Sequence, residues 1–364
     1  MMTSGRGRAG TSAALDVAVV GATGVVGGAM VRILEERAFP VGRLRLYATA
    51  RSAGKAVPFR GATVTVEETG EGLTDADLVL FAGGDDASRR FAWAVAEAGG
   101  VAVDNSSTWR MDPRVPLVVP EVNAGALAGH RGVVANPNCT TMALVMALKP
   151  IHDAARIRRV VVASYQSVSG GGLDNMRALL DQTRALLEVP DALERGDAER
   201  VRAAAGTAHP VAFNVRPQWK WQPDGDTEEE AKVVAETRKI MDADIAVSVT
   251  TMRVPVLVGH TLAVHLDLGR PLEVAAARAA LAAFPGVEVV DEPAADRFPT
   301  PLQAAGRDPV LVGRVRPDPF DPSALRLVVA SDNLRKGAAL NAVQIAEHLL
   351  AAGRLGPRRP AARR

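Results

Sequence analysis

The chain has 364 residues, a formal net charge of +2, and is 48% hydrophobic and 23% charged. Acids and bases are interspersed, so nothing points to nucleic acid. No run approaches the roughly 20 apolar residues that span a bilayer. One cysteine excludes an internal disulfide and fits a reducing compartment, hence the cytoplasm. The length is enough for two domains with a sizeable core.

The first 14 residues carry Arg6 and Arg8 but lack the apolar core of a secretory signal, and read as a disordered tail, with an organelle transit peptide the competing reading. Residues 15–20 predict a strand. GATGVVG (21–27) follows at once, then a helix to Arg37. Glycines in such a turn let backbone N–H groups approach a pyrophosphate at the helix N-terminus. Gly21, Thr23, Gly24, Val25 and Val26 are therefore candidate dinucleotide ligands. The plainer alternative is a turn that only packs helix on strand. A second strand is predicted at 44–48. At its end an NAD-binding domain places an acid for the ribose. Here the chain reads TARSAGK (49–55), with Arg51 beside Ser52. That pair suits a 2′-phosphate and hence NADP, although a solvated basic loop has the same composition.

Strands are predicted at 64–66, 78–81 and 101–104, with a helix at 87–98. The polar DNSSTWR (104–110) leaves the last strand, at the end where open parallel sheets bind ligands. Arg110 could hold an anion there, though a lone arginine is more often a surface charge. Residues 15–138 thus predict one doubly wound nucleotide-binding domain. Next comes PNCTT (137–141), between an apolar strand and an apolar helix. Pro137 forbids an early helical start, so Cys139 lies at the helix N-terminus. Unpaired N–H groups there favour a thiolate, with a pKa below the free value of about 8.5. An inert buried cysteine is the competing reading.

Residues 159–172 predict a strand running into a polar loop, SVSGGG. Residues 181–207 are polar with helical signals. Thr227 and Glu230 form a capping box, and Glu229 and Lys232 share a helix face, where an exposed ion pair is the default. Two long strands, at 245–256 and 262–268, flank VGHT (258–261) and predict a hairpin in a largely antiparallel sheet. Arg253 and His260 lie around that connection. A helix at 274–284 and strands at 310–315 and 325–330 follow. SDNLRKG (331–337) opens a final helix that can pack back on the first domain. The Pro- and Arg-rich end, 356–364, reads as a disordered tail.

GATGVVG, ARSAGK, DNSSTWR, PNCTT, SYQSVSG, EEAK, RVPVLVGH and SDNLRKG occur in this order, each on the element expected of it. Together they resemble the aspartate-semialdehyde dehydrogenase family, in its bacterial NADP-dependent branch, over about residues 15–350. The resemblance implies an α/β protein. Its Rossmann-like doubly wound sheet (15–138) is completed by the C-terminal helix 335–351. An α+β catalytic and dimerisation domain (139–334) carries a mixed, largely antiparallel sheet. It implies reduction of 4-phospho-aspartate by NADPH to aspartate semialdehyde and phosphate. That step serves lysine (diaminopimelate), threonine, methionine and isoleucine biosynthesis. It also implies a homodimer and no metal.

On the matching positions, Cys139 resembles the nucleophile that forms an acyl-thioester, and His260 its acid/base partner. Gln166 resembles the residue that orients substrate. Arg253 resembles the carboxylate clamp, Glu229 the ammonium receptor, and Arg110 and Lys232 the phosphate cradle. Ser169, Gly170 and Asn333 are expected near the cofactor, with Asp332 a competing candidate for the nicotinamide contact. N-acetyl-glutamyl-phosphate reductase shares the chemistry, but its acylated amine gives no reason for a Glu229-type receptor. A catalytically silent NADP-binding regulator would not need Cys139, Gln166, Arg253 and His260 together.

Overall fold

The apolar runs resolve into two seven-stranded sheets in the computed structural model, which describes residues 14–218 and 220–358. The first sheet contains β1 (Leu15–Val20), β2 (Val41–Ala48), β3 (Ala56–Phe59), β4 (Ala62–Glu68), β5 (Leu78–Phe81), β6 (Val101–Asp104) and β7 (Val133–Ala135). Their order is β3-β4-β2-β1-β5-β6-β7, parallel except for the β3–β4 pair. All four residues of β5 and of β6 are buried, as a sheet covered on both faces requires. The strand order reverses at β1. A crevice therefore opens beyond the carboxyl ends of β1 and β5, where such sheets bind ligands.

The glycine turn sits at that crevice. Gly21 has φ +78°, a conformation that glycine adopts without cost. Gly27 lies so close to the turn that a Cβ there would meet the Gly21 carbonyl oxygen at 2.1 Å. The helix Val25–Glu36 can start against β1 only because position 27 has no side chain.

The second sheet contains β8 (Ile157–Gln166), β9 (Arg216–Pro217), β10 (Ala246–Arg253), β11 (His260–Leu268), β12 (Val287–Val289), β13 (Val310–Pro317) and β14 (Ala324–Ser331). Their order is β12-β13-β14-β11-β8-β10-β9. The sheet is mixed: β8 is parallel to β10 and antiparallel to β11. This corrects the predicted hairpin of β10 with β11. The ten-residue β8 lies between them, and their connection crosses its end. Val254 N donates to Gln166 O, Val168 N to Val256 O and Ser169 N to Leu257 O. The crossing gathers the ends of three strands at one point.

The helix Cys139–Ala155 runs between the sheets, with Met142 to Leu148 fully buried in the larger core. From Met142 to Leu148 it is apolar all round, as a helix segment with no solvent face requires, and only its last turns, with Lys149 and Asp153, reach water. The last helix, Leu340–Ala351, buries Leu340, Val343, Ile345 and Leu349 in the core of the first sheet. Three helices, Leu173–Leu187, Pro190–Arg195 and Ala198–Ala205, fill the polar stretch before β9. Part of the expected C-terminal tail is placed: Arg358 N donates to Asp77 Oδ1 and its guanidinium to Thr74 O. Residues 1–13 and 359–364 lie outside the described residues. No helix among the described residues is long and apolar enough to cross a membrane.

Candidate active site

Gln166 ends β8, Arg253 ends β10 and His260 begins β11, so the crossing connection places all three at one end of three adjacent central strands. Cys139 arrives from the opposite side as the first residue of its helix. Its Sγ lies 3.2 Å from His260 Nε2. Gln166, 1% exposed, donates from Nε2 to Thr140 Oγ1 at 2.8 Å, one residue beyond the thiol. Gly337 closes the far side, where an added Cβ would lie 3.2 Å from Cys139 Cβ.

The expected low thiol pKa is not found. Burial, and then the carboxylate of Glu229, push Cys139 up to about 11, against the pull of Arg253 and Arg110. The helix N-terminus does little to offset this. The Thr140 N–H still favours the thiolate, but Asn138 Oδ1 also accepts from Thr140 N and Thr141 N and shares these donors, so their pull is the weakest of the causes. Burial and the nearby Arg253 push His260 down to about 3, leaving a neutral imidazole at neutral pH. The backbone N–H of Ser167 donates to Nδ1 at 3.1 Å. That bond assigns the ring proton to Nε2, the nitrogen facing sulfur. In this resting arrangement His260 is a donor toward Cys139, not a vacant base.

A pH prediction follows from the sign of the thiol shift. A raised pKa makes thiolate scarce at neutral pH, and its fraction grows about tenfold per pH unit. Alkylation of Cys139 in the free enzyme by iodoacetamide should therefore keep climbing between about pH 7 and about pH 9. A plateau in that window would mean a thiol already ionised.

The pocket in front of the thiol has a volume of about 290 Å³ and is lined by Arg110, Gln166, Glu229, Lys232 and Arg253, among others. Arg253 is 8% exposed and donates to Ser167 O and, at 3.4 Å, to Gln218 Oε1. Its Nε is buried with no partner among the described residues. Glu229 Oε1 accepts from Asn138 Nδ2 at 2.9 Å. The expected Glu229–Lys232 ion pair is not formed. Lys232 pairs instead with Glu228 at 3.3 Å, four residues away on the helix Glu228–Met241. Glu229 is thereby turned into the pocket. The Thr227–Glu230 capping box is present. Arg110 is not a surface charge: it is 8% exposed, and Nε, NH1 and NH2 bond Asn136 O, Glu236 Oε1 and Asn105 O.

Ser169, Gly170, Val26 and Asn333 line the same pocket. The Asn333 carboxamide oxygen accepts from Ser167 Oγ, Ser169 Oγ and Gly259 N, which ties the loops behind His260 together. Asp332 caps the following turn through Leu334 N and Arg335 N. Three residues given no role by the sequence also belong here. Gln218 Nε2 donates to Gln166 Oε1 at 2.9 Å and so orients that carboxamide. Asn138 caps the nucleophile helix, a role readable from N-cap preference. Glu236 bonds both Arg110 and the backbone of Asn138.

A second groove, of about 510 Å³, opens at the ends of β1, β2 and β5. Gly21, Thr23, Gly24, Arg51 and Ser52 line it, and Glu68 faces it from the end of β4. Lys55 Nζ lies 3.3 Å from Ser52 Oγ, adding a cation behind the loop. Val25 opens the helix, and no side chain caps its start among the described residues. Uncapped N–H groups, a close glycine turn and two cations at the far end fit a dinucleotide phosphate chain.

Two family models match: "Semialdehyde dehydrogenase, NAD binding domain" over residues 16–130, and "Semialdehyde dehydrogenase, dimerisation domain" over 148–336. The aspartate-semialdehyde dehydrogenase of Aquifex aeolicus is 45% identical over 343 residues, covering 93% of this chain and 98% of its own. That of Streptomyces akiyoshiensis is 47% identical over 337 residues, covering 91% and 97%. Among solved structures, aspartate semialdehyde dehydrogenase II from Vibrio cholerae complexed with ASA superimposes with a TM-score of 0.86. It is 41% identical and covers 93% of this chain and 99% of its own. Likeness at this level spans more than nine tenths of the chain, and the chain belongs to the aspartate-semialdehyde dehydrogenase family.

Proposed function

We propose that this oxidoreductase reduces 4-phospho-L-aspartate with NADPH to L-aspartate 4-semialdehyde and phosphate, through a thioester on Cys139. The observation that carries the reading is the 3.2 Å approach of the sole cysteine to His260, in a pocket holding opposed Arg253 and Glu229. The ASA complex of the Vibrio cholerae relative supports the choice of substrate. Residues 15–138 with 335–351 serve as the nucleotide-binding domain, and 139–334 as the catalytic and dimerisation domain. The match to a dimerisation domain supports a homodimer. The place of the reaction is the cytoplasm, on the way to lysine, threonine, methionine and isoleucine.

Arg253 takes the substrate carboxylate with the part of its planar guanidinium that lines the pocket. Glu229 takes the ammonium. That contact also activates the nucleophile, because it neutralises the carboxylate that pushes the thiol pKa up. Arg110 and Lys232 hold the phosphoryl group. Sulfur attacks the acyl carbon, the C–O bond to phosphate breaks, and the thiol proton leaves with phosphate as hydrogenphosphate. The nicotinamide cofactor, when bound, supplies hydride to the thioester carbon. His260 holds the Nε2 proton beside sulfur, where it can give that proton to the thiolate as the C–S bond breaks and the aldehyde carbonyl forms.

The test runs aspartate semialdehyde, phosphate and NADP beside N-acetyl-glutamate semialdehyde and records NADPH formation. Phosphate-dependent turnover of the first substrate alone supports the reading. Preference for the acetylated substrate would replace it with N-acetyl-glutamyl-phosphate reductase, and turnover of neither would favour a silent regulator.

Cofactor choice is a separate prediction. Arg51 and Ser52 face the groove from a loop with no acid at the end of β2. A charge-assisted bond to a 2′-phosphate is worth about 1.5–3 kcal/mol, which is about one to two powers of ten in affinity. Wild type should prefer NADP, and Arg51→Ala should lose most of that preference with NAD affinity unchanged. The Kd of both cofactors checks this. Equal loss for both would make Arg51 a loop-shaping residue.

A further inference from the structure

Glu236 lies on the helix Glu228–Met241, four residues after Lys232 and seven after Glu229, on the face that lines the pocket. It is 1% exposed. Oε1 accepts from Arg110 NH1 at 3.0 Å, and Oε2 accepts from the backbone N–H of Asn138 at 2.6 Å. Asn138 is the residue before Cys139, and its own side chain bonds Glu229 and caps the nucleophile helix. Arg110 fastens two further backbone carbonyls, those of Asn105 and Asn136. One buried carboxylate therefore touches both the proposed phosphate cation and the backbone that carries the nucleophile. A buried ion pair is a costly way to fill a core, and an apolar residue of similar volume often serves stability as well or better. Its two partners here are both parts of the active site.

We propose that Glu236 is a positioning residue that holds the phosphate-binding guanidinium of Arg110 and the nucleophile loop at Asn138 as one unit, so that phosphate affinity and thiol placement are set together. The proposal rests on reading Arg110 as a phosphate ligand. Both partners of Glu236 are obligatory donors. A carboxylate meets them with two acceptors. The carboxamide of Glu236→Gln offers one acceptor and one donor, so one partner is left facing an N–H. Glu236→Asp keeps both acceptors but is one methylene short.

The experiment uses the full-length protein and both variants. It measures the KM of phosphate with aspartate semialdehyde and NADP, the rate of Cys139 alkylation by iodoacetamide without substrate, and the Kd of NADP. Glu236→Gln should raise the phosphate KM about tenfold and shift the alkylation rate at least about threefold, with NADP Kd within about twofold of wild type. Glu236→Asp should recover part of both effects. A merely structural role would instead lower stability and cofactor binding without moving phosphate KM and alkylation together. A Gln variant that binds NADP normally overturns the proposal if either quantity stays at its wild-type value. Should that variant fail to bind NADP, Arg110→Gln reads the link from the other end. It should shift the alkylation rate, and an unchanged rate there overturns the proposal. A wild type that turns over no aspartate semialdehyde overturns the functional reading instead, and the two alkylation comparisons then decide the link by themselves.

Discussion

Cys139→Ala should abolish turnover while NADP still binds. Removing the nucleophile removes the thioester route, so kcat should fall by at least about four powers of ten, or about 5.5 kcal/mol of transition-state stabilisation. Alanine keeps the Cβ that packs beside Gly337, so the turn against the nucleophile helix has no cause to move. The nucleotide groove is lined by the glycine turn and the Arg51 loop, and Cys139 is not among its walls. Stopped turnover with an unchanged NADP Kd is the expected pair of results. Residual activity within about tenfold of wild type, or about 1.4 kcal/mol, would sink the covalent mechanism. Iodoacetamide followed by mass spectrometry should give one adduct on wild type and none on the variant, since the chain has one cysteine.

Most residues that line the pocket stand out in the sequence because each is a chemical type at a motif position, whereas Gln218 and Glu236 sit in no motif. The contacts among them are less legible. Strand alternation in 245–268 predicted a hairpin, since nothing local in those residues announces that a third strand comes between them. The pairing of β8 with both neighbours is a long-range event, with Gln166 opposite Arg253 across 87 positions of chain. Period alone cannot supply that. The thiol pKa failed for a related reason. A helix start is visible in PNCTT, but burial outweighs it, the Asn138 side chain shares the N–H groups that favour an anion, and Glu229 arrives from 90 residues downstream. Glu229–Lys232 was read as a surface pair by spacing, whereas Glu228 takes the lysine and frees its neighbour for the pocket. Glu236 is marked by its place on the helix. It stands among Val233, Thr237 and Ile240, the buried stripe of its helix, where an acid needs a partner.

Arg253→Leu should cripple substrate handling far more than cofactor binding. The guanidinium is fixed by Ser167 O and Gln218 Oε1, which leaves Nε directed to no protein acceptor among the described residues. A carboxylate seated against the guanidinium where it lines the pocket gains charge-assisted bonds. Losing one partner of such a pair costs about 2–5 kcal/mol, much of it from leaving the other charge buried alone. The expected fall in kcat/KM for aspartate semialdehyde is therefore at least about thirtyfold, at about 1.4 kcal/mol per power of ten. Arg253→Lys restores charge but not the planar fork, so it should recover only part of the loss. Leucine also removes a positive charge that holds down the pKa of both Cys139 and His260. In the Leu variant alkylation of the free thiol should slow, because less thiolate is present at a given pH. The Lys variant should keep more of the wild-type rate. A kcat/KM at the wild-type level in Arg253→Leu would remove the carboxylate assignment. A normal alkylation rate in the same variant would instead show that Arg253 does not set the charge around the thiol.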